Sequence, residues 1–236
     1  MIPLRDDQPS FSTPFINYFL IVLNVLVFLG ELSVGMQSRG ALNAFLVEFG
    51  VVPRHTVAVL TGQSYDSAAT AILPLFTSMF LHASFLHVAG NMLFLWIFGD
   101  NVEDYLGHFR YLVFYLGSGL AADLSHILLN SSSRVPSVGA SGAIAGVMGA
   151  YFILYPRARV LTWFPPIFLF HVPAWLMLGF WFVGNFLSGT ATSIAETTQT
   201  SGGGVAFWAH VGGFVAGVLM IKVFRERPQR YRYGAW

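Results

Sequence analysis

Residues 138–155 read VGASGAIAGVMGAYFILY, and how this stretch packs decides the fold. One hydroxyl, that of Ser141, heads an uncharged run in which Ser141, Ala145 and Gly149 recur at every fourth position, with Gly142 and Gly146 beside them. On a helix these residues share a face, and a face without side-chain bulk admits the backbone of a second helix. The last apolar run has a matching character, because His210, Gly213 and Gly217 also fall on one face. Two thin faces, each with its polar residue at one end, would set Ser141 against His210. The plainer alternative is that small residues serve as helix glue and that the serine bonds back to its own helix.

Working outward, the solvent of this chain is lipid. Of its 236 residues 55% are hydrophobic and only 10% charged, whereas soluble domains carry roughly a quarter charged. Apolar runs occupy about Phe15–Gly30, Ser84–Gly99, Phe109–Leu129, Ser141–Tyr155, Ile167–Leu187 and Val205–Phe224. A helix needs about 20 residues to cross ~30 Å of hydrocarbon, so the shorter runs recruit flanking residues. The expected fold class is all-α, a polytopic membrane protein of six transmembrane helices. Its expected organisation is a short cytoplasmic segment over 1–14, a membrane domain over 15–224 and a basic tail over 225–236. A long outer loop fills about 31–74, and in it Leu42, Phe45, Leu46 and Phe49 suggest a helix lying on the interface.

Six spans place both termini on one side. Nine flanking basic residues (Arg5, Arg110, Arg157, Arg159, Lys222, Arg225, Arg227, Arg230, Arg232) would face that side and three (Arg39, Arg54, Arg134) the other. The excess marks the cytoplasmic face, so the starts of spans 2, 4 and 6 lie outside, with His87, Asn91, Ser141 and His210 at similar shallow depth. The net charge of +1 carries no nucleic-acid-binding stripe. Cysteine is absent, which excludes a disulfide framework and a thiol nucleophile. The first apolar run lacks a small-x-small cleavage pattern and reads as a retained span.

Serine alone is a weak nucleophile, and a neutral imidazole about 3 Å away can take its proton. Span 2 offers a second polar set, His82, His87 and Asn91, of which the last two share a face. Acyl transfer needs N–H donors aimed where negative charge grows, and His or Asn beside a backbone amide supplies them. The bland reading makes Asn91 an interhelical bond and the histidines interface residues. A three-histidine zinc site is disfavoured, because the spacing is not His-Glu-x-x-His and no carboxylate lies near to act as base. Asp123 inside span 3, with His126 nearby, fits structural pairing better than transport. His171, near the inner end of span 5, fits a snorkelling role.

His82-x4-His87-x3-Asn91-Met92, then Gly139-Ala140-Ser141-Gly142, then Ala209-His210-Val211-Gly212-Gly213, each in its own span, resembles the rhomboid family of intramembrane serine proteases. The resemblance covers about Phe76 to Lys222 and implies a rhomboid-like bundle. Residue by residue it implies Ser141 as nucleophile and His210 as general base without an acidic third member. His87, Asn91 and the Ser141 amide would hold the oxyanion, with His82, Gly139 and Gly142 in support. Gly146, Gly213 and Gly217 would carry helix packing. Two departures stand out. Ala145 occupies the place where the family often has an aromatic against the histidine, so His210 needs another support, for example Phe207 or Trp208. The outer loop also lacks the family's frequent Trp-Arg pair.

The expected activity is therefore serine endopeptidase cleavage of transmembrane segments near the outer face, without cofactor or metal. Partners would be single-span membrane protein substrates within the lipid bilayer, in a membrane of the bacterial inner (plasma) type. Span 5 and the glycine-rich Ser188–Gly204 loop would form the gate. The rival is a catalytically inactive factor that binds membrane proteins and alters their trafficking.

Overall fold

The computed structural model describes residues 1–196 and 206–224; the basic tail, 225–236, and residues 197–205 of the expected cap loop lie outside the described residues. After a strand β1 (Ile2–Asp6), helix α1 (Phe15–Gln37) opens behind Pro14. Its first amides are capped from a distance: the Glu103 carboxylate accepts from Ile16 N at 3.0 Å and from Asn17 N at 2.7 Å. These are donors that no intrahelical carbonyl reaches. Helices α2 (Arg39–Phe49), α3 (Pro53–Leu60), α4 (Ala69–Ile72) and α5 (Pro74–Thr77) build the following segment. Helix α6 (Phe85–Leu106) is N-capped by Ser84 Oγ, which accepts from His87 N. Gly107, at φ 79°, then turns the chain into α7 (His108–Leu129). The remaining elements are α8 (Ser141–Leu154), β2 (Arg159–Phe164), β3 (Phe168–Pro173), α9 (Ala174–Glu196) and α10 (Phe207–Val223).

The chain is mostly helical rather than all-α. β1, β2 and β3 form an antiparallel sheet in that order. The apolar run expected to begin span 5 at Ile167 instead folds its first residues into β3, and the helix starts only at Ala174. Pro173 explains the boundary: a proline cannot donate to a helical ladder and sits readily just before the first turn. His171 accordingly pairs with Leu161 across the sheet and lines a cleft with Arg5, Asp6 and Arg159, away from any helix. The same run continues past Leu187, so residues 188–196 extend α9 instead of starting the loop. Likewise α1 runs seven residues beyond Gly30, and Glu31 belongs to that helix rather than to the outer loop.

By length and composition, α1 and α7 are able to cross a membrane, and residues 69–80 with α6, bent by 77°, make a third candidate. The middle of the bundle is α8, buried continuously from Gly142 to Tyr151 between α7 and α10. Its glycines are the reason. A Cβ on Gly146 would collide with the Ser118 side chain of α7, and one on Gly149 with the Phe214 carbonyl of α10. The reciprocal holds on α10, where Gly213 and Gly217 lie against the carbonyls of Gly142 and Gly146. In lipid, where apolar burial drives little helix association, this backbone contact and its dispersion energy hold the bundle.

Candidate active site

The loop leading into α8 is fixed by backbone bonds. Val51 and Ser137 exchange two N–H···O bonds, of 3.0 and 2.7 Å, and Gly139 N donates to the Ser78 carbonyl at 2.9 Å. Gly139 takes φ +134°, a conformation that side-chain-bearing residues rarely adopt. The turn delivers Ser141 as the first residue of α8, where the earliest intrahelical bond runs from Ile144 N to the Ala140 carbonyl. The amides ahead of Ile144 have no carbonyl of their own helix to reach, and they concentrate positive potential at the serine.

His210 lies in the first turn of α10. Its Nε2 is 2.7 Å from Ser141 Oγ and its Nδ1 is 2.7 Å from Asn185 Oδ1 on α9. The bonding of Asn185 assigns the protons. Its Nδ2 donates to the Trp181 carbonyl at 2.8 Å, so Oδ1 is the atom that faces the ring. An amide oxygen only accepts, hence Nδ1 carries the hydrogen and Nε2 is the bare nitrogen to which the Ser141 hydroxyl donates. The Trp181 indole completes the support, with ring centroids 5.6 Å apart. Sequence reasoning looked for this aromatic at Phe207 or Trp208. Trp208 instead packs edge-on against Phe186 and donates to Ser193 Oγ. Asn185 and Trp181 were missed; the legible signal was an amide inside an apolar run, one turn beyond a tryptophan.

His87 packs beside the serine: a Cβ on Gly139 would lie 2.8 Å from two atoms of its imidazole and 3.4 Å from Ser141 Oγ. His82 stands edge-on to His87, with centroids 5.0 Å apart, and its Nε2 is 2.9 Å from Asn91 Nδ2. An amide nitrogen has two hydrogens, so Asn91 keeps one donor beyond that bond. Glu31 of α1 accepts from His82 N with both carboxylate oxygens, at 3.0 and 3.1 Å. This buried carboxylate was not anticipated as part of the site. Asp123 approaches Ser78 Oγ at 3.3 Å, and His126 pairs with Asn130. Ser141, Asp123, Met79, Gly119 and Ser137 share a small cleft, and Ser141, His87 and His210 are each only half-buried.

The Rhomboid domain profile matches residues 69–227, about two thirds of the sequence. The chain belongs to the rhomboid family. It is similar to Rhomboid protein 1, mitochondrial, of Saccharomyces cerevisiae, at 34% identity over 169 residues, 68% of this chain and 45% of that protein. Similarity to the Presenilin-associated rhomboid-like protein, mitochondrial, of Homo sapiens is 35% over 161 residues, 65% of this chain and 38% of that one. RHOMBOID-like protein 1 of Arabidopsis thaliana is 32% identical over 202 residues, 85% of this chain and 42% of its own length. This rhomboid chain thus spans less than half the length of these curated relatives. As a rhomboid it is an integral, multi-pass membrane protein, in keeping with its apolar helices.

Proposed function

We propose that this rhomboid chain is an intramembrane serine endopeptidase in which Ser141 is the nucleophile and His210 the general base. The reading is carried by the 2.7 Å contact between Ser141 Oγ and a His210 Nε2 that has no hydrogen of its own. His210 takes the serine proton as Oγ attacks the scissile carbonyl, and the imidazolium then protonates the leaving amine. Water then attacks the acyl carbon while giving a proton to Nε2, and the imidazolium returns that proton to Ser141 Oγ as the carboxylic product leaves. The Ser141 amide, His87 and Asn91 are the donors for the oxyanion, with His82 holding the last two together. A carbonyl inside an intact helix is already hydrogen-bonded, so substrates would be single-span membrane proteins whose helix unwinds locally.

In this reading α1, α6, α7, α8, α9 and α10 are the six spans. Both termini lie on the basic, cytoplasmic side, and the site opens to the outer face of a plasma-type membrane. Helix α9 acts as the gate. The test is labelling of the detergent-solubilised protein by a fluorophosphonate, with mapping of the adduct, alongside cleavage of a single-span substrate in liposomes. We expect an adduct on Ser141, and loss of both signals in Ser141→Ala and His210→Ala proteins that melt as the parent does. A folded parent protein that neither labels nor cleaves would overturn the proposal in favour of a non-catalytic binder of membrane proteins.

A further inference from the structure

Asn185 is polar, sits inside the apolar helix α9, and spends both ends of its amide. Nδ2 bonds the Trp181 carbonyl one turn back, and Oδ1 faces His210 Nδ1. The first bond is local to the helix and fixes which way the amide points. The second crosses between helices and fixes the imidazole. With Nδ1–H engaged, the bare electron pair is directed at Ser141; without an acceptor there, the ring would exchange tautomers, and in the other one Nε2–H cannot take a proton. Trp181, four residues earlier on the same face, limits rotation of the ring.

The same two residues bind the dyad to the placement of α9. That helix leans mainly on α10, through Trp181 and Phe182 against Phe214 and Phe186 against Trp208, and less on α8. Its opposite face carries exposed Phe180, Val183 and Leu187. Among the described residues, the side-chain hydrogen bonds of the His210 ring join it to Ser141 and Asn185. Displacement of α9 therefore removes the orienting acceptor and the packing indole in one movement.

We infer that Asn185 is the positioning residue of the Ser141–His210 pair, and that it makes the competence of His210 depend on α9 being seated against α10. The catalytic consequence rests on the protease reading; the tautomer does not. The experiment compares parent, Asn185→Leu and Asn185→Asp proteins carrying 15N-labelled histidine in nanodiscs. Asp keeps an oxygen toward Nδ1 and loses the Trp181 bond, whereas Leu loses both. The expected result is a His210 with Nδ1 protonated and Nε2 bare in the parent and in Asn185→Asp, and a mixed tautomer in Asn185→Leu. Cleavage kinetics should follow, with kcat reduced about tenfold or more in Asn185→Leu at little-changed KM, and largely retained in Asn185→Asp.

An unchanged tautomer in Asn185→Leu overturns the inference. So does an equal loss of kcat in both variants, which would assign Asn185 to the Trp181 bond alone. A parent protein without any peptidase activity would overturn the protease reading only, since the imidazole signals still decide what Asn185 does.

Discussion

Gly217 of α10 rests on the peptide of Gly146 in α8, so that a Cβ on Gly217 would overlap the Gly146 carbonyl oxygen and crowd its Cα. The obstacle is backbone on both sides, and no side chain can swing away. Gly217→Ala must push α8 and α10 apart, which costs about 1–3 kcal/mol as overpacking does elsewhere. Gly179 in α9 and Gly90 in α6 have no atom within 4 Å of such a Cβ. There alanine should be neutral or stabilising by up to about 1 kcal/mol through the unfolded chain and helix propensity. Thermal unfolding of the three variants in one detergent checks the contrast; equal melting temperatures would refute close helix contact as the organising feature.

Gly139 tests how closely His87 must approach the serine. Alanine at this position meets two penalties, a φ of +134° and a Cβ 2.8 Å from the His87 ring. The ring is on a short side chain and yields, so the expected outcome is a displaced His87. Loss of one oxyanion donor lowers kcat by about a hundredfold to a thousandfold. Steady-state cleavage should report a fall in kcat that His87→Ala reproduces and that the double variant does not deepen. Additive losses would place His87 outside the oxyanion site.

Glu31 ties α1 to the histidine pair, since both of its oxygens accept from His82 N. In Glu31→Leu that buried amide loses its acceptor, at a cost of about 1–3 kcal/mol. Glu31→Gln keeps one carbonyl oxygen for it. We therefore expect melting temperature and cleavage rate to fall together in Glu31→Leu and to recover largely in Glu31→Gln.

Much of the candidate site's geometry was legible because its residues sit at helix periodicity beside glycine, as Ser141 and Gly146 do on one run and His210 and Gly217 on the other. Close backbone packing needs no knowledge of partners, and glycine spacing announces it. What stayed illegible depended on contacts between distant elements. Asn185 reads as a lone amide in an apolar run until α9 is docked on α10, and Glu31 reads as a loop carboxylate until α1 proves long enough to carry it to His82. Residues 167–173 misled for a different reason: an apolar run beside lipid looks the same whether it becomes helix or strand. Only the pairing of Phe168–Pro173 with Arg159–Phe164, itself paired with Ile2–Asp6, distinguishes the two, and period alone does not contain it.

Asp6 makes that pairing sensitive to pH. It ends β1, opposite Val160, and accepts from the Tyr151 hydroxyl of α8. Burial pushes its carboxyl up to about 6, against the opposing pull of the Tyr151 bond, and Asp7 adds to the rise. A folded-state value above the unfolded ~4 means the folded chain binds the proton more tightly. The associated stability is complete below about 4 and is lost as pH rises through about 6. Amide exchange of residues 2–6, corrected for intrinsic rates, should accelerate relative to α8 between pH 5 and pH 7. Asp6→Asn should remove the dependence, and a flat profile in the parent protein would refute it.

Gly189 and Phe207 offer a direct hold on α9, the proposed gate. A Cβ on Gly189 of α9 would stand 3.3 Å from the Phe207 Cβ of α10, close to the separation that a disulfide bridges. The sequence contains no cysteine, so Gly189→Cys with Phe207→Cys introduces the only thiols. Oxidation would pin α9 in its seated position. A small fluorophosphonate needs only the assembled Ser141–His210 pair and should still label it. On the proposed reading a transmembrane substrate needs α9 to yield for entry and to reseat for cleavage, so its cleavage should fall at least tenfold and return on reduction. The split between labelling and cleavage is the informative readout, because a bridge that merely damaged the protein would lower both. Cleavage that persists in the oxidised protein would move the gate to another element.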